Sequence, residues 1–185
     1  KKGQVFKTLY VDAFAGTGYV ERRVPGSASE MLFPELVTED SNRFRGSTIQ
    51  ALSPDPGFDH YLFIEQSQSK VGELHQLRES YPNRAISIRQ GDANEQLIKL
   101  CDKDLRGWRA LVFLDPFGMQ VRWTTLEKLA RTGAVDLWYL FPLGIGPNRL
   151  LQNDGNIPEC NRTKLDELFG TSDWQDAFYR KSAQI

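Results

Sequence analysis

The chain has 185 residues, of which 40% are hydrophobic and 25% are charged, and this balance predicts one globular domain rather than a disordered chain. Its formal net charge of −1 supplies no general basic surface of the kind that phosphate-binding proteins usually have. No apolar run is long enough to cross a bilayer and no amino-terminal stretch is typical of a signal peptide, so we predict a soluble, cytoplasmic protein without a membrane partner. The 2 cysteines, Cys101 and Cys160, have no Cys or His neighbour at metal-ligand spacing, which predicts neither a disulfide nor a metal site.

Short apolar segments alternate with segments of helical periodicity along most of the chain. The predicted strands cover residues 8–14, 61–64, 85–88, 110–114 and 135–141. The predicted helices between them cover residues 46–52, 67–81, 94–101 and 123–131. This alternation predicts an α/β, Rossmann-like fold with a mostly parallel sheet and helices on both faces.

Two features depart from a regular alternation. Residues 19–59 are long for a single crossover and rich in proline and glycine, so we expect an irregular insertion over residues 19–45 before the next helix. Two further helical patterns, over residues 164–169 and 174–179, follow the last predicted strand. No sixth or seventh strand is visible in the sequence. We therefore expect residues 1–185 to form a single domain whose fold is incomplete at the carboxyl end.

The first predicted strand ends in a glycine-rich turn that reads Tyr-Val-Asp-Ala-Phe-Ala-Gly-Thr-Gly. Gly16 and Gly18 carry no side chain, so the backbone there can approach a ligand closely and turn sharply. A nicotinamide-binding fingerprint would need a third glycine at the position of Glu21. Asp12 and Phe14 favour S-adenosylmethionine (SAM) instead, with the Asp12 carboxylate holding an ordered water or the amino group of the methionine part. The alternative interpretation is a tight turn that binds no ligand.

Acidic residues also follow the second and third predicted strands. Glu65 ends the second strand, and a carboxylate there can accept hydrogen bonds from both ribose hydroxyls of a nucleoside. Asp92 follows the third strand, where its carboxylate is a candidate partner for the adenine amine and the Ala93 backbone for a ring nitrogen. Both acidic residues have structural alternatives, because Glu65 can stabilise the dipole of the following helix and Asp92 can cap a helix. Since the carboxyl ends of parallel strands meet at one edge, these acidic strand ends together predict a SAM site.

The fourth predicted strand ends in the tetrapeptide Asp115-Pro116-Phe117-Gly118. It resembles the Asp-Pro-Pro-Tyr motif of amino-group methyltransferases, in which an acceptor side chain and the proline carbonyl hold the two hydrogens of a target amine. The resemblance implies that Asp115 and Pro116 orient an acceptor nitrogen, and that Phe117 stacks on a planar target. The tetrapeptide departs from that motif at Phe117 and Gly118. The alternative interpretation is a proline turn after a buried strand.

Five short motifs follow one another over residues 8–150: Tyr-Val-Asp-Ala-Phe-Ala-Gly-Thr-Gly-Tyr, Gly-Ser-x-x-x-Ala-Leu, Phe-Ile-Glu, Gly-Asp and Phe-Leu-Asp-Pro-Phe-Gly. In this combination they resemble the three-Cys-motif partner proteins (TcmP). The resemblance implies a class I SAM-dependent methyltransferase-like fold. It also implies a partner protein that carries a three-cysteine motif of radical-SAM-like appearance.

The motifs predict a SAM-dependent methyltransferase that acts on an amino group of nucleic acid or protein. The predicted cofactor-binding residues are Asp12, Phe14, Gly16, Gly18, Glu65, Asp92 and Ala93. The predicted catalytic residues are Asp115, Pro116 and Phe117. The alternative is a non-catalytic module with a methyltransferase fold that binds the three-cysteine protein. The sequence excludes a nicotinamide dehydrogenase, because Glu21 stands where the fingerprint needs its third glycine and no Tyr-x-x-x-Lys pattern is present.

Overall fold

A five-stranded parallel sheet forms the centre of the computed structural model, which describes residues 6–21, 43–144, 146–152 and 155–179. Its strands are β1 (Lys7–Asp12), β4 (His60–Glu65), β5 (Ile86–Gln90), β6 (Trp108–Leu114) and β7 (Val135–Tyr139). Their order across the sheet is β5-β4-β1-β6-β7, and every neighbouring pair is parallel. The chain starts in the middle of the sheet, extends to one side and then crosses to the other, which is a Rossmann-like arrangement. The predicted α/β fold is confirmed.

A second, two-stranded sheet lies within the segment that the sequence marks as an insertion. Strands β2 (Tyr19–Glu21) and β3 (Arg43–Arg45) pair antiparallel, and next to them the Gly46 N–H donates to the Gly18 carbonyl at 2.8 Å. Both ends of the predicted irregular insertion are therefore regular, while residues 22–42 lie outside the described residues. Strands of three residues are too short to show a period-two pattern, which is why the sequence did not reveal them.

Helices cover both faces of the parallel sheet. The four that do so are α1 (Ser47–Leu52), α2 (Gln68–Glu79), α3 (Ala93–Cys101) and α4 (Trp123–Arg131). Buried residues of α1 and α2 pack with Tyr61 and Phe63 of β4 on one face. Buried residues of α3 and α4 pack with Leu62 and Ile64 of the same strand on the other face. Successive side chains of β4 thus enter two different cores, and this explains why the whole strand is apolar.

The described residues after β7 include three helices that form a third, smaller core. The helices are α5 (Pro147–Leu150), α6 (Glu159–Phe169) and α7 (Trp174–Tyr179). Leu165 of α6 and Trp174 of α7 are buried together with Ile157. The indole N–H of Trp174 donates to the Asp166 carboxylate at 2.7 Å, which fixes α7 against α6. None of the helices in the described part of the chain combines the length and the apolar character that a bilayer span needs.

Strand β7 lies at one edge of the sheet and leaves large apolar side chains in solvent. Trp138 is 64% exposed and Leu143, in the loop after the strand, is 54% exposed. We call the following set the apolar edge: Leu137, Trp138, Leu140, Phe141 and Leu143. In the described residues β7 pairs only with β6, so its other side also offers free backbone groups. Exposed apolar groups grouped in this way are typical of surfaces that contact another protein element.

Candidate functional site

A cavity of about 490 Å³ opens at the carboxyl ends of β1, β4, β5 and β6. Strand β1 is the point at which the chain reverses its direction across the sheet, and ligands of open α/β sheets bind at such switch points. Asp12, Gly18 and Pro116 are not part of the cavity wall. The other sequence-predicted site residues line it: Phe14, Gly16, Glu65, Asp92, Ala93, Asp115 and Phe117.

The Glu65 carboxylate ties the glycine turn to the start of α2. Its Oε2 accepts a hydrogen bond from the Gly16 N–H at 3.0 Å, and its Oε1 accepts one from the Ser67 N–H at 2.8 Å. Each carboxylate oxygen can accept more than one hydrogen bond, so both remain able to accept from ligand hydroxyls. Because the Gly16 N–H already has an acceptor, the turn does not offer this donor to a phosphate, as the glycine-rich turns of dinucleotide-binding proteins do.

Asp92 caps α3 at the wall of the cavity. Its Oδ1 accepts a hydrogen bond from the Glu95 N–H at 3.1 Å, the usual contact of an N-cap residue. No other hydrogen bond to this carboxylate comes from the described residues, so Oδ2 is available to a ligand. The two interpretations of Asp92, as a helix cap and as a ligand residue, are therefore compatible.

The cavity carries an excess of negative charge. The carboxylates of Glu65, Asp92 and Asp115 line it, and Lys70 is the one cationic residue in the described part of its wall. Three negative groups against one positive group favour a cationic ligand and disfavour one that carries phosphates. Within the described residues, no group of three or more His, Cys, Asp or Glu side chains could hold a metal ion.

Asp12 is fully buried and braces the glycine turn instead of lining the cavity. Its Oδ2 accepts from the Ser47 hydroxyl at 2.5 Å, and its Oδ1 accepts from the Phe14 N–H at 3.2 Å. In the sheet Asp12 is the register partner of Phe63 and Phe113, so it shares with them the face that α1 covers. The structure thus places Asp12 against the start of α1 and does not bring it to the cavity.

Burial raises the pKa of the Asp12 carboxyl from its ordinary value of 3.8 to about 6. The hydrogen bonds from Ser47 and Phe14 lower this pKa, and the neighbouring charges of Asp115 and Glu65 raise it further. The folded protein therefore holds this proton more tightly than the unfolded chain does. The resulting stabilisation is complete below pH 3.8 and is lost as the pH rises through about 6.

The substitution Asp12→Asn is expected to remove this pH dependence, because an amide of the same shape does not titrate. Relative to the variant, the wild-type free energy of unfolding should fall by up to about 3 kcal/mol as the pH rises from below 3.8 to neutrality. Urea unfolding of both proteins at a series of pH values measures this difference. Two parallel stability profiles would mean that the Asp12 carboxyl titrates in the folded protein as it does in the unfolded chain.

Gly18 contributes to packing beneath the turn. Its φ angle is +85°, in the left-handed region, and a Cβ there would lie 3.0 Å from the Thr48 hydroxyl and 3.0 Å from a Leu77 methyl group. A side chain at this position would therefore be strained and would also push α1 and α2 away from the turn. The second glycine of the motif is required by the fold, whereas Gly16 lies in the cavity wall.

The loop after β6 carries the 115–118 tetrapeptide and forms the opposite wall of the cavity. The Phe117 N–H donates to the Gln120 side-chain carbonyl at 2.9 Å, while the Phe117 ring is 85% exposed. Pro116 is buried, and its carbonyl accepts from the Gly118 N–H at 3.0 Å. Asp115 lines the cavity, and no hydrogen bond to its carboxylate comes from the described residues. The motif predicts two acceptors, the Asp115 side chain and the Pro116 carbonyl. Of these, the Asp115 carboxylate lines the cavity and has no hydrogen-bond donor among the described residues.

Asn94 joins α3 to the loop after β6, and sequence reasoning missed it. The residue is 3% exposed and uses both ends of its amide. Its Nδ2 donates to the Gln120 carbonyl at 2.9 Å, and its Oδ1 accepts from the Arg122 N–H at 3.0 Å and the Thr125 hydroxyl at 2.9 Å. One buried amide therefore fixes two walls of the cavity to each other. No local pattern marks it, because its partners lie 26 to 31 positions later in the chain.

Comparison with known proteins adds little to this geometry. No family model matches the chain, and no curated protein matches it. Among solved structures, the fold is similar to that of a Legionella pneumophila protein described by the family model DUF519, with a TM-score of 0.44 and 15% sequence identity. The similarity covers 69% of this chain and 54% of that one, so the chain spans about half the length of the Legionella protein. The resemblance to the three-Cys-motif partner proteins therefore rests on the sequence motifs alone.

Proposed function

We propose that the chain binds SAM in the cavity at the switch point and transfers its methyl group to an acceptor nitrogen. The main support for the proposal is that Glu65, Asp92 and Asp115 line one cavity beside the glycine turn. A volume of about 490 Å³ is within the range of small-molecule sites, and the negative wall suits a ligand with a sulfonium and an ammonium group.

The acceptor oxygens in the wall match the donors of an adenosyl group. Glu65 projects from the end of β4 and can accept from the two ribose hydroxyls. The free oxygen of Asp92 can accept from the adenine amine, with the Ala93 backbone beside it. Phosphate-bearing cofactors fit less well, since the wall is negative and the Gly16 N–H is bonded to Glu65. These contacts support SAM over a nicotinamide dinucleotide.

When bound, SAM supplies an electrophilic methyl group on its sulfonium. In our proposal the Asp115 carboxylate accepts a hydrogen bond from the acceptor N–H and so aims the nitrogen lone pair at that methyl group. The exposed ring of Phe117 offers a flat surface on which a planar acceptor stacks. The nitrogen–methyl bond would form as the methyl–sulfur bond breaks, with S-adenosylhomocysteine as the leaving group. No strong base is needed before attack, because the nitrogen becomes acidic only once it is methylated, and its proton would then pass to the Asp115 carboxylate. The rate then depends mainly on proximity and orientation. We propose an amino group of nucleic acid or protein as the acceptor.

Replacement of Asp115 by alanine is expected to stop methyl transfer and to weaken SAM binding by about tenfold or less, because the residue orients the acceptor and supplies only one of the three negative charges of the wall. Calorimetry measures the affinity. Transfer of radioactive methyl from SAM to separated nucleic-acid and protein fractions of a cell extract measures the activity. Asp136→Ala is the matched control, since Asp136 is exposed on β7 and outside the cavity. Methyl transfer by the Asp115 variant at the wild-type rate would remove Asp115 from the mechanism.

A second candidate function is a non-catalytic module that binds a protein partner. Two observations favour it: the Pro116 carbonyl is hydrogen-bonded inside its own loop, and the apolar edge is exposed. The motif resemblance names a three-cysteine, radical-SAM-like protein as that partner. The radioactive assay separates the two candidates, because a wild-type protein that binds SAM and labels neither fraction fits the binding module.

A further inference from the structure

A second cavity, of about 300 Å³, lies away from the candidate SAM site on the sheet face that α3 covers. It is lined near the amino ends of β4 and β6, whereas the SAM cavity is at the carboxyl ends of the strands. Its floor belongs to the main core: Leu9, Leu62 and Leu100 are buried there, with Leu105 and Trp108 packed beside them. We call this space the basal cavity.

Polar residues of β4 and β5 form one wall of the basal cavity. Ser87 is the register partner of Leu62, and Arg89 is the register partner of Ile64, so both β5 side chains project onto the α3 face. The His60 ring nitrogen Nε2 lies 2.9 Å from the Ser87 hydroxyl. Strand β5 thus presents polar groups on a face where its neighbour β4 presents buried apolar ones.

Two positively charged side chains line the basal cavity, and neither has a carboxylate partner in the described part of the chain. Neither Arg89 nor Lys103 forms an ion pair within the described residues. The one acidic residue in the described wall, Asp104, is already held by the Arg106 guanidinium through contacts of 2.7 to 3.0 Å. Lys103 lies close enough to His60 to lower the pKa of that imidazole, although burial is the larger cause. The two free cations therefore face the same small space above an apolar floor.

We propose that the basal cavity binds a small organic carboxylate with an apolar body. The carboxylate would lie between Arg89 and Lys103, since guanidinium and ammonium groups bind carboxylates by charge-assisted hydrogen bonds. The apolar body would cover the floor formed by Leu62, Leu100 and Trp108. A mostly apolar pocket with a few polar groups that fix the orientation is the usual form of a small-molecule site. This site is separate from the SAM cavity and does not depend on its occupant.

Titration of the isotope-labelled protein with sodium decanoate, followed by amide proton–nitrogen correlation spectra, tests the proposal. We expect saturable shifts at the amides of Leu62, Ser87 and Leu105. Decylammonium has the same apolar body with the opposite charge, and should bind about tenfold more weakly or worse. The double variant Arg89→Gln/Lys103→Gln should lose about tenfold in decanoate affinity for the same reason.

The control is Lys99→Gln/Arg131→Gln, because both of these exposed cations pair with glutamates outside the basal cavity. It should keep the wild-type affinity for decanoate. Equal binding of decanoate and decylammonium, or shifts confined to the apolar edge, would overturn the proposal, as would a complete lack of shifts. The substitution Ser87→Phe, which would fill the cavity without removing a charge, should also abolish the shifts. SAM titrated into the same samples reports on the other cavity, so failure of either proposal is seen separately.

Discussion

Replacement of Asn94 by alanine should lower the free energy of unfolding by about 2–4 kcal/mol, the largest stability effect we expect from a polar substitution in the described part of the chain. The Asn94 amide makes three hydrogen bonds from a position that is 3% exposed. Its removal leaves the Gln120 carbonyl, the Arg122 N–H and the Thr125 hydroxyl without their partner. Thr125 is buried, whereas Gln120 and Arg122 are exposed residues whose backbone groups water can partly satisfy. A buried polar group left without a partner costs about 1–3 kcal/mol. Urea unfolding monitored by circular dichroism measures the loss.

Two further variants separate this explanation from a general sensitivity of the fold. Asn83→Ala removes an exposed asparagine from the turn before β5 and should change the stability by less than about 0.5 kcal/mol. Asn94→Asp retains an acceptor for two of the donors but gives up the amide donor to the Gln120 carbonyl. It should be destabilised at neutral pH and partly recover at acid pH, where a protonated carboxyl donates again. An alanine variant as stable as Asn83→Ala would show that the Asn94 network contributes little.

Replacement of Glu65 by glutamine should weaken SAM binding by about tenfold to a hundredfold. The substitution keeps the size of the side chain but removes the charge that draws a cationic ligand, and only one oxygen remains as an acceptor. Hydrogen bonds to a charged group contribute about 1.5–3 kcal/mol each, so the weakening of one accounts for this change. Calorimetric titration with SAM measures it.

The same change also affects the turn, and a control is needed for that effect. Gly16 and Ser67 donate to different oxygens of Glu65, and the amide of glutamine keeps only one oxygen. One of the two hydrogen bonds is therefore lost and the other loses its charge assistance, which should cost about 2–3 kcal/mol of stability. Glu73→Gln, on the exposed side of α2, should change neither stability nor affinity. If Glu65→Gln lost stability but bound SAM as wild type does, Glu65 would be a brace for the glycine turn and not a ligand residue.

The sheet and its helices could be predicted from the sequence, because each strand or helix is marked by a pattern within its own segment. Strands β4 and β6 are apolar runs bounded by turns, and α4 begins and ends where its periodic pattern does. Parallel crossovers then bring the carboxyl ends of the strands together, which is why Glu65, Asp92 and Asp115 were expected at one edge. The pairing of β2 with β3 could not be predicted from the sequence. Each strand has three residues, and residues 22–42 separate the two in the chain.

The roles within the site were harder to predict, because a position at a strand end does not give the direction of a side chain. Asp12 alternates with Val11 and shares its face with Tyr10, which packs in the core beneath α1 and α2. Period two alone would therefore have assigned Asp12 to that core and not to the cavity. Asn94 could not have been found in this way, because its partners are brought to it only by the fold.

The central claim is that the negative cavity beside Gly16 holds SAM, and calorimetric titration of the wild-type protein with SAM tests it most directly. NAD is the matched comparison, since it carries the same adenosine joined to phosphates in place of a sulfonium. We expect saturable heat from SAM at a single site and no binding of NAD. A lack of heat from SAM at millimolar concentration, or binding of NAD as tight as that of SAM, would contradict the claim.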